Sequence, residues 1–150
     1  MQLNVSSRSL RPQRRGFSLV ELAVVVIIIG VLAAFGVPRL LKSVERSKAA
    51  EAFKYCASLR AAQERYQARE GTYTALLADL DMTQVAPKYY TVGVVAAGAT
   101  LSLEDSWTLT LTRSGAASGY GAYTVVFTQD GFDTVNSTIA ALPDINPMGS

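Results

Sequence analysis

The sequence contains no histidine and a single cysteine, Cys56, and only 17% of its 150 residues are charged. The absence of His removes the commonest general base, the imidazole of a serine triad and the usual zinc ligand together, which weakens most enzymatic readings. One Cys cannot form an intramolecular disulfide or a paired redox or metal site, so no such staple stabilises the chain. Soluble domains average about 25% charged residues, and a deficit of this size points to a stretch cleared of charge. The 14 Lys and Arg against 12 Asp and Glu leave a formal charge of +2, too little to mark nucleic acid as a direct partner. The length is that of one domain.

The charge that is present divides the chain into three regions. Arg8, Arg11, Arg14 and Arg15 give residues 1 to 16 a charge of +4 with no acid. Residues 17 to 70 carry eight bases and five acids, and from Gly71 onward only Lys88 and Arg113 oppose seven acids, leaving that part at −5. A basic leader is thus followed by a long middle segment and an acidic head.

Leu22 to Val37 has no charged or hydrogen-bonding side chain, and with Phe17 to Val20 it forms an apolar block broken only by Glu21. About 20 such residues span a bilayer, and the preceding arginines fit a cytoplasmic flank. Beyond Arg39 the pattern becomes an amphipathic stripe, with Val44, Ala49, Ala52, Phe53, Cys56, Leu59, Ala62 and Tyr66 at spacings of three and four. Glu70-Gly71 supplies a helix stop. A helix from Phe17 to Glu70 would be about 80 Å long at 1.5 Å per residue, so its second half stands outside the bilayer and packs on something. Gly30, Gly36 and Pro38 weaken it, because Gly lowers helix stability by about 1 kcal/mol and Pro removes a backbone donor. A bend or local melting is expected between Gly30 and Pro38.

The stretch RRGFSLVEL, Arg14 to Leu22, carries the most information. A secretory signal places its cleavage site after the apolar block, whereas here the polar leader ends in Gly16 directly before it and an acid follows five positions later. This arrangement resembles the class III signal of type IV prepilins and pseudopilins, over Arg14 to about Pro38. The resemblance implies that a prepilin peptidase cuts between Gly16 and Phe17 and that Phe17 is N-methylated. It also implies that Glu21 serves assembly, neutralising the Phe17 amine of a neighbouring subunit. A carboxylate inside a bilayer costs at least about 2.5 kcal/mol on insertion scales, so an acid there calls for a partner or a functional reason. The simpler reading places Glu21 at the membrane surface, reaching for water. A rival processing scheme also stands: Ala34-Phe35-Gly36 is a small-x-small triplet after which a conventional signal peptidase would release a soluble domain starting at Val37.

In the head, Tyr73, Leu76, Leu77 and Leu80 are expected in a short helical turn packed back on the helix. Tyr89 to Ala96 and Thr100 to Leu103 read as strands around a turn, and Trp107 to Arg113 and Ala122 to Thr128 alternate apolar and polar residues. A three- or four-stranded antiparallel sheet with one apolar face follows, covered by the outer half of the helix. The fold class is α+β, the helix-and-sheet roll that the resemblance also implies. Its expected divisions are residues 1–16 (leader), 17–38 (membrane and polymerisation helix), 39–70 (amphipathic helix) and 71–150 (sheet head, with ALPDINPMGS as terminal loop).

Asp130, Asp133 and Asp144, near Asn136 and Asn146, offer oxygen ligands but lack EF-hand spacing and read as turn acids. Ser18 has no His to activate it, and Cys56 reads as a small core residue. Arg60, Arg65 and Arg69 read as solvated or paired with Glu64 and Glu70 along the helix. No metal, cofactor or catalytic residue is expected.

The leading reading is a structural prepilin, held by a single span in the bacterial inner membrane and then drawn into a helical homopolymer. Its implied partners are further copies of itself, the peptidase, an inner-membrane assembly platform and the membrane. A pseudopilin of a type II secretion system, forming a periplasmic pseudopilus, is the alternative. The chain reads Trp107-Thr108-Leu109-Thr110 where the major pseudopilin carries a Trp-Gly-x-Pro-Tyr segment, and its single Cys excludes the C-terminal disulfide of many pilins. A membrane-anchored binding module is a third reading, though the acidic head opposes direct DNA capture.

Overall fold

The computed structural model describes residues 16–116 and 119–149, and the arginines of the leader lie outside them. The chain divides into two compact units, Met1–Val37 and Pro38–Ser150. The fold is α+β, a long apolar helix followed by a small antiparallel sheet.

Helix α1 runs from Leu19 to Glu70, beginning two residues later than the sequence implies. It continues as helix through Gly30, Gly36 and Pro38. Pro38 nevertheless leaves the Ala34 carbonyl without its helical donor. The helix stops where expected: Gly71 takes φ +79°, and its N–H donates to the Gln67 carbonyl at 2.8 Å.

In the second unit, Glu45, Ala49, Ala52, Cys56, Leu59 and Gln63 recur at spacings of four, three, four, three and four and are fully buried. The stripe is therefore offset from the expected one. Val44 is 42% exposed while Glu45 is buried in its place, and Tyr66 is only half-buried. The reason is polar: both ends of the stripe are fixed by hydrogen bonds to the head.

The sheet comprises β1 (Tyr90–Val92), β2 (Ala96–Ala97), β3 (Trp107–Arg113), β4 (Thr124–Thr128) and β5 (Gly131–Phe132). They lie in the order β1-β3-β4-β5, with β2 also paired to β3 and every pairing antiparallel. Trp107, Leu109 and Leu111 of β3 and Val125 and Phe127 of β4 turn inward and meet the helical stripe. Phe53 links the layers, edge-on to Phe127 with ring centroids 5.5 Å apart. The free edge of β4 is closed by side chains, since Val126 N–H donates to Ser137 Oγ (2.8 Å) and Thr124 N–H to Thr138 Oγ1 (2.7 Å).

Three expectations are corrected. The strand expected over Tyr89 to Ala96 is split at Gly93, where the backbone approaches so closely that a Cβ would lie 2.7 Å from the Thr110 carbonyl oxygen. Thr100 to Leu103 is a tight turn rather than a strand, because Ser106 Oγ takes the Thr100 N–H (3.1 Å) and bonds its hydroxyl (2.6 Å). The C-terminal segment includes a 3-10 turn, Thr138–Ala141, and places Ile139 and Ile145 in the core. The turn at Leu77–Asp79 forms as expected, with Tyr73 and Leu80 buried but Leu76 exposed.

A buried ionic cluster ties the start of the stripe to the end of β3. Arg113 grips Glu45 with two bonds, Nε to Oε1 at 2.5 Å and Nη2 to Oε2 at 3.1 Å. Tyr123 Oη donates to the same carboxylate at 2.9 Å and bonds Tyr90 Oη at 2.8 Å, while Lys48 Nζ stands 3.2 Å from Oε2. Burial alone would raise the Glu45 carboxyl, but the donors Arg113, Tyr123 and Lys48 outweigh it and hold the group below the ordinary carboxylate range. At the other end Gln63 Nε2 donates to the Thr74 carbonyl (2.7 Å) and Thr74 N–H returns a bond to Gln63 Oε1 (3.0 Å).

Two outcomes follow. Leu59→Ala should lower unfolding free energy by about 2–5 kcal/mol, read from denaturant midpoints of the full chain in detergent. Because folding lowers the Glu45 pKa, its contribution is complete above the unfolded carboxyl pKa and disappears as pH falls through the folded one. Glu45→Gln should cost about 3–5 kcal/mol near pH 7 by leaving Arg113 buried without its counter-ion. Melts from pH 2 to 7 should show the variant losing part of the wild-type acid dependence; an unchanged acid limb would refute the clasp.

Candidate functional site

Gly16, Phe17 and Ser18 precede the helix in non-helical conformation, and Phe17 is 77% exposed. Among the described residues, a Cβ added at Gly16 would meet nothing within 4 Å. Ser18 begins the helix. Its carbonyl accepts the first helical bond, from Leu22 N–H at 3.2 Å, and its Oγ accepts from Val20 N–H at 3.3 Å. Glu21 folds back, its Oε2 accepting from Ser18 N–H at 2.8 Å. These bonds form a variant of the capping box, in which Ser18 Oγ holds the Val20 rather than the Glu21 N–H, and satisfy two backbone donors that a helix start otherwise leaves open. The carboxylate also lies at the positive end of the helix dipole.

The role of Ser18 was legible in the spacing Ser-x-x-Glu ahead of an apolar run. The capping box sets Glu21 beside the main chain one residue after Phe17, the position relevant to a new amine if the chain is cut after Gly16. From Leu22 to Val37 no side chain is buried. Among the described residues this is the one helix long and apolar enough to cross a membrane.

The other candidate groups are dispersed. Asp133 accepts from Val135 N–H (3.0 Å), Asn136 N–H (3.1 Å) and Asn136 Nδ2 (2.6 Å), Asp144 pairs with Lys42 at 2.7 Å, and Asp130 accepts from Gln129 Nε2 at 2.9 Å. Among the described residues no group of three or more acids or cysteines is placed to hold a metal. Burial pushes the Cys56 thiol up to about 12, which leaves it protonated and unreactive at neutral pH. The helix bases do not pair with Glu64 and Glu70 as the sequence spacing allows. Arg65 forks onto Asp81 (Nη2 to Oδ1, 2.9 Å; Nε to Oδ2, 3.0 Å), Arg60 Nε donates to the Gln129 carbonyl at 2.6 Å, and Arg69 stacks over Tyr66. The head reaches these positions through turns that helical spacing does not reveal.

Comparison with known proteins agrees with this arrangement. Residues 11–37 match the family described as the prokaryotic N-terminal methylation motif. The chain is similar to the type IV major pilin protein PilA of Myxococcus xanthus, 31% identical over 104 residues, covering 69% of this chain and 47% of that protein. It therefore spans about half the length of that relative. It is also similar to the fimbrial protein EcpC of Eikenella corrodens, 33% identical over 111 residues, covering 73% of this chain and 71% of that protein. A methylation motif at the start of an uncovered apolar helix, followed by a helix-and-sheet head and joined to this similarity, establishes that the chain belongs to the type IV pilin and pseudopilin family.

Proposed function

We propose that the protein is a structural subunit of a type IV pilus, made as a prepilin and cut between Gly16 and Phe17 by a prepilin peptidase that also methylates the Phe17 amine. The precursor is held by one span in the bacterial inner membrane. The mature chain is then drawn by an inner-membrane platform into a helical homopolymer outside the cell. The observation that carries this reading is Glu21, the one charged side chain in an apolar segment whose side chains are exposed among the described residues.

Cleavage after Gly16 creates an amine one residue ahead of the Glu21 cap, and an ordinary α-amine is protonated at neutral pH. The glutamate of an incoming subunit neutralises the amine of one already in place, while the apolar helices bury one another. This selects a neighbour by charge and leaves the remaining helix surface free to pack. Head-to-tail contacts that do not close give an open helical polymer. Gly30, Gly36 and Pro38 are where the helix yields as it packs, since two residues lack side chains and the third lacks a donor. The family's part is structural, and the chemistry is performed on the chain rather than by it.

Fibres sheared from cells should contain this chain beginning with a methylated Phe17, as read by mass and N-terminal sequencing. Recovery of that form only from the cell envelope would favour the pseudopilin, and a chain starting at Val37 would favour the signal-peptidase scheme. Glu21→Ala should leave the protein processed and in the membrane fraction while abolishing sheared fibres; normal fibre yield from this variant would overturn the role of Glu21.

A further inference from the structure

Past the apolar run the helix becomes two-faced before the sheet covers it. Leu40, Leu41 and Val44 are 63%, 44% and 42% exposed, and at about 100° per residue they continue one face of α1 with Val37. Arg39, Lys42 and Arg46 stand on the opposite face at spacings of three and four, and all three are exposed.

The acids around this face are accounted for. Glu45 is buried under Arg113 and Tyr123 with Lys48 beside it, and Glu51 lies round the helix with Val44 and Tyr89. Asp144 pairs with Lys42 at 2.7 Å. Among the described residues Arg39 and Arg46 have no ion pair, so three bases against Asp144 leave the face at +2.

The stripe begins where a bilayer would end. Residues 19–37 rise about 28 Å as helix, close to the ~30 Å hydrocarbon thickness, and a headgroup layer adds about 5–7 Å on each side. Arg39 and Lys42 follow Val37 by about 3 and 8 Å of rise. Arg46 follows by about 14 Å, but helical side chains tilt toward the N-terminus, so its guanidinium reaches back toward the same layer. Long basic side chains lay their stems along apolar surface and keep the charge in the headgroups, and guanidinium groups match phosphate with two parallel bonds.

We infer that Arg39 and Arg46, with Lys42 between them, form a binding face for the phosphate of an anionic glycerophospholipid at the bilayer surface. The inference rests on the single-span reading above and adds a ligand to it. The stretch from Gly71 onward carries −5 and is repelled by such a surface, so the attraction is local to this stripe.

The test titrates the full-length chain in detergent with phosphatidylglycerol or phosphatidylcholine and counts bound lipids by native mass spectrometry. The leader bases would attract the same lipid, so Arg8, Arg11, Arg14 and Arg15 are replaced by Gln throughout. Phosphatidylglycerol should be retained several-fold better, with a preference that shrinks as ammonium acetate is raised. Arg39→Gln with Arg46→Gln should lower phosphatidylglycerol affinity roughly tenfold and leave phosphatidylcholine retention and the thermal midpoint unchanged, while the double Lys variant keeps most of the preference. Equal retention of the two lipids, or an undiminished preference in the Gln variant, would overturn the site and leave the span standing. A chain that retains neither lipid would overturn the span as well. A Gln variant that keeps the preference but yields no sheared fibres would assign the stripe to a second copy of the chain instead.

Discussion

An apolar helix left uncovered among the described residues is the constraint on which the rest of this molecule depends. The backbone of residues 19–37 forms helix, and among the described residues no side chain from Leu22 through Val37 is buried. Such a surface is stable only in hydrocarbon or against other apolar helices. These are the two surroundings proposed for it in turn, the bilayer and then the polymer. A leader that sets orientation before insertion is useful in the first, and a single carboxylate that selects a neighbour is useful in the second. The capping box reconciles Glu21 with both, because it gives the acid a backbone partner when no amine is near.

The second unit solves the opposite problem. Its part of the helix is covered by the sheet, and two polar contacts stand at the ends of the buried stripe. Glu45 meets Arg113 and Tyr123 at one end, and Gln63 meets Thr74 at the other. Apolar packing alone is tolerant of small slides, whereas a bidentate ion pair and a reciprocal amide bond are not. A buried ion pair contributes little net stability relative to an apolar pair, so register is the better account of it. The heads of a repeating polymer need such fixed geometry, since an error in one head would propagate along the fibre.

Helix and central strands were legible because their periodicities are strong. The apolar block, the stop at Gly71, β3 and β4 all follow from spacing alone. What escaped depends on contacts that pattern reading does not encode. Glu45 and Gln63 stand outside an apolar pattern because their type is polar, and their partners lie 68 and 11 residues away. The break at Gly93 and the turn at Thr100 to Leu103 depend on backbone approach and on Ser106, neither visible in a hydropathy pattern. Ile139 and Ile145 are too isolated in a polar tail to announce burial. The cap at Ser18 is present in the sequence as a four-residue signature, in which Glu21 has a local role besides the one proposed for it in assembly.

The missing histidine acquires a further meaning from these positions. No side chain in the sequence has an ordinary pKa between 5 and 7, and burial moves the thiol of Cys56 away from neutrality. Removal of residues 1–16 would put an α-amine on Phe17, a group that loses its charge as pH rises above neutrality. Processing would then place that group one residue from the cap that holds Glu21.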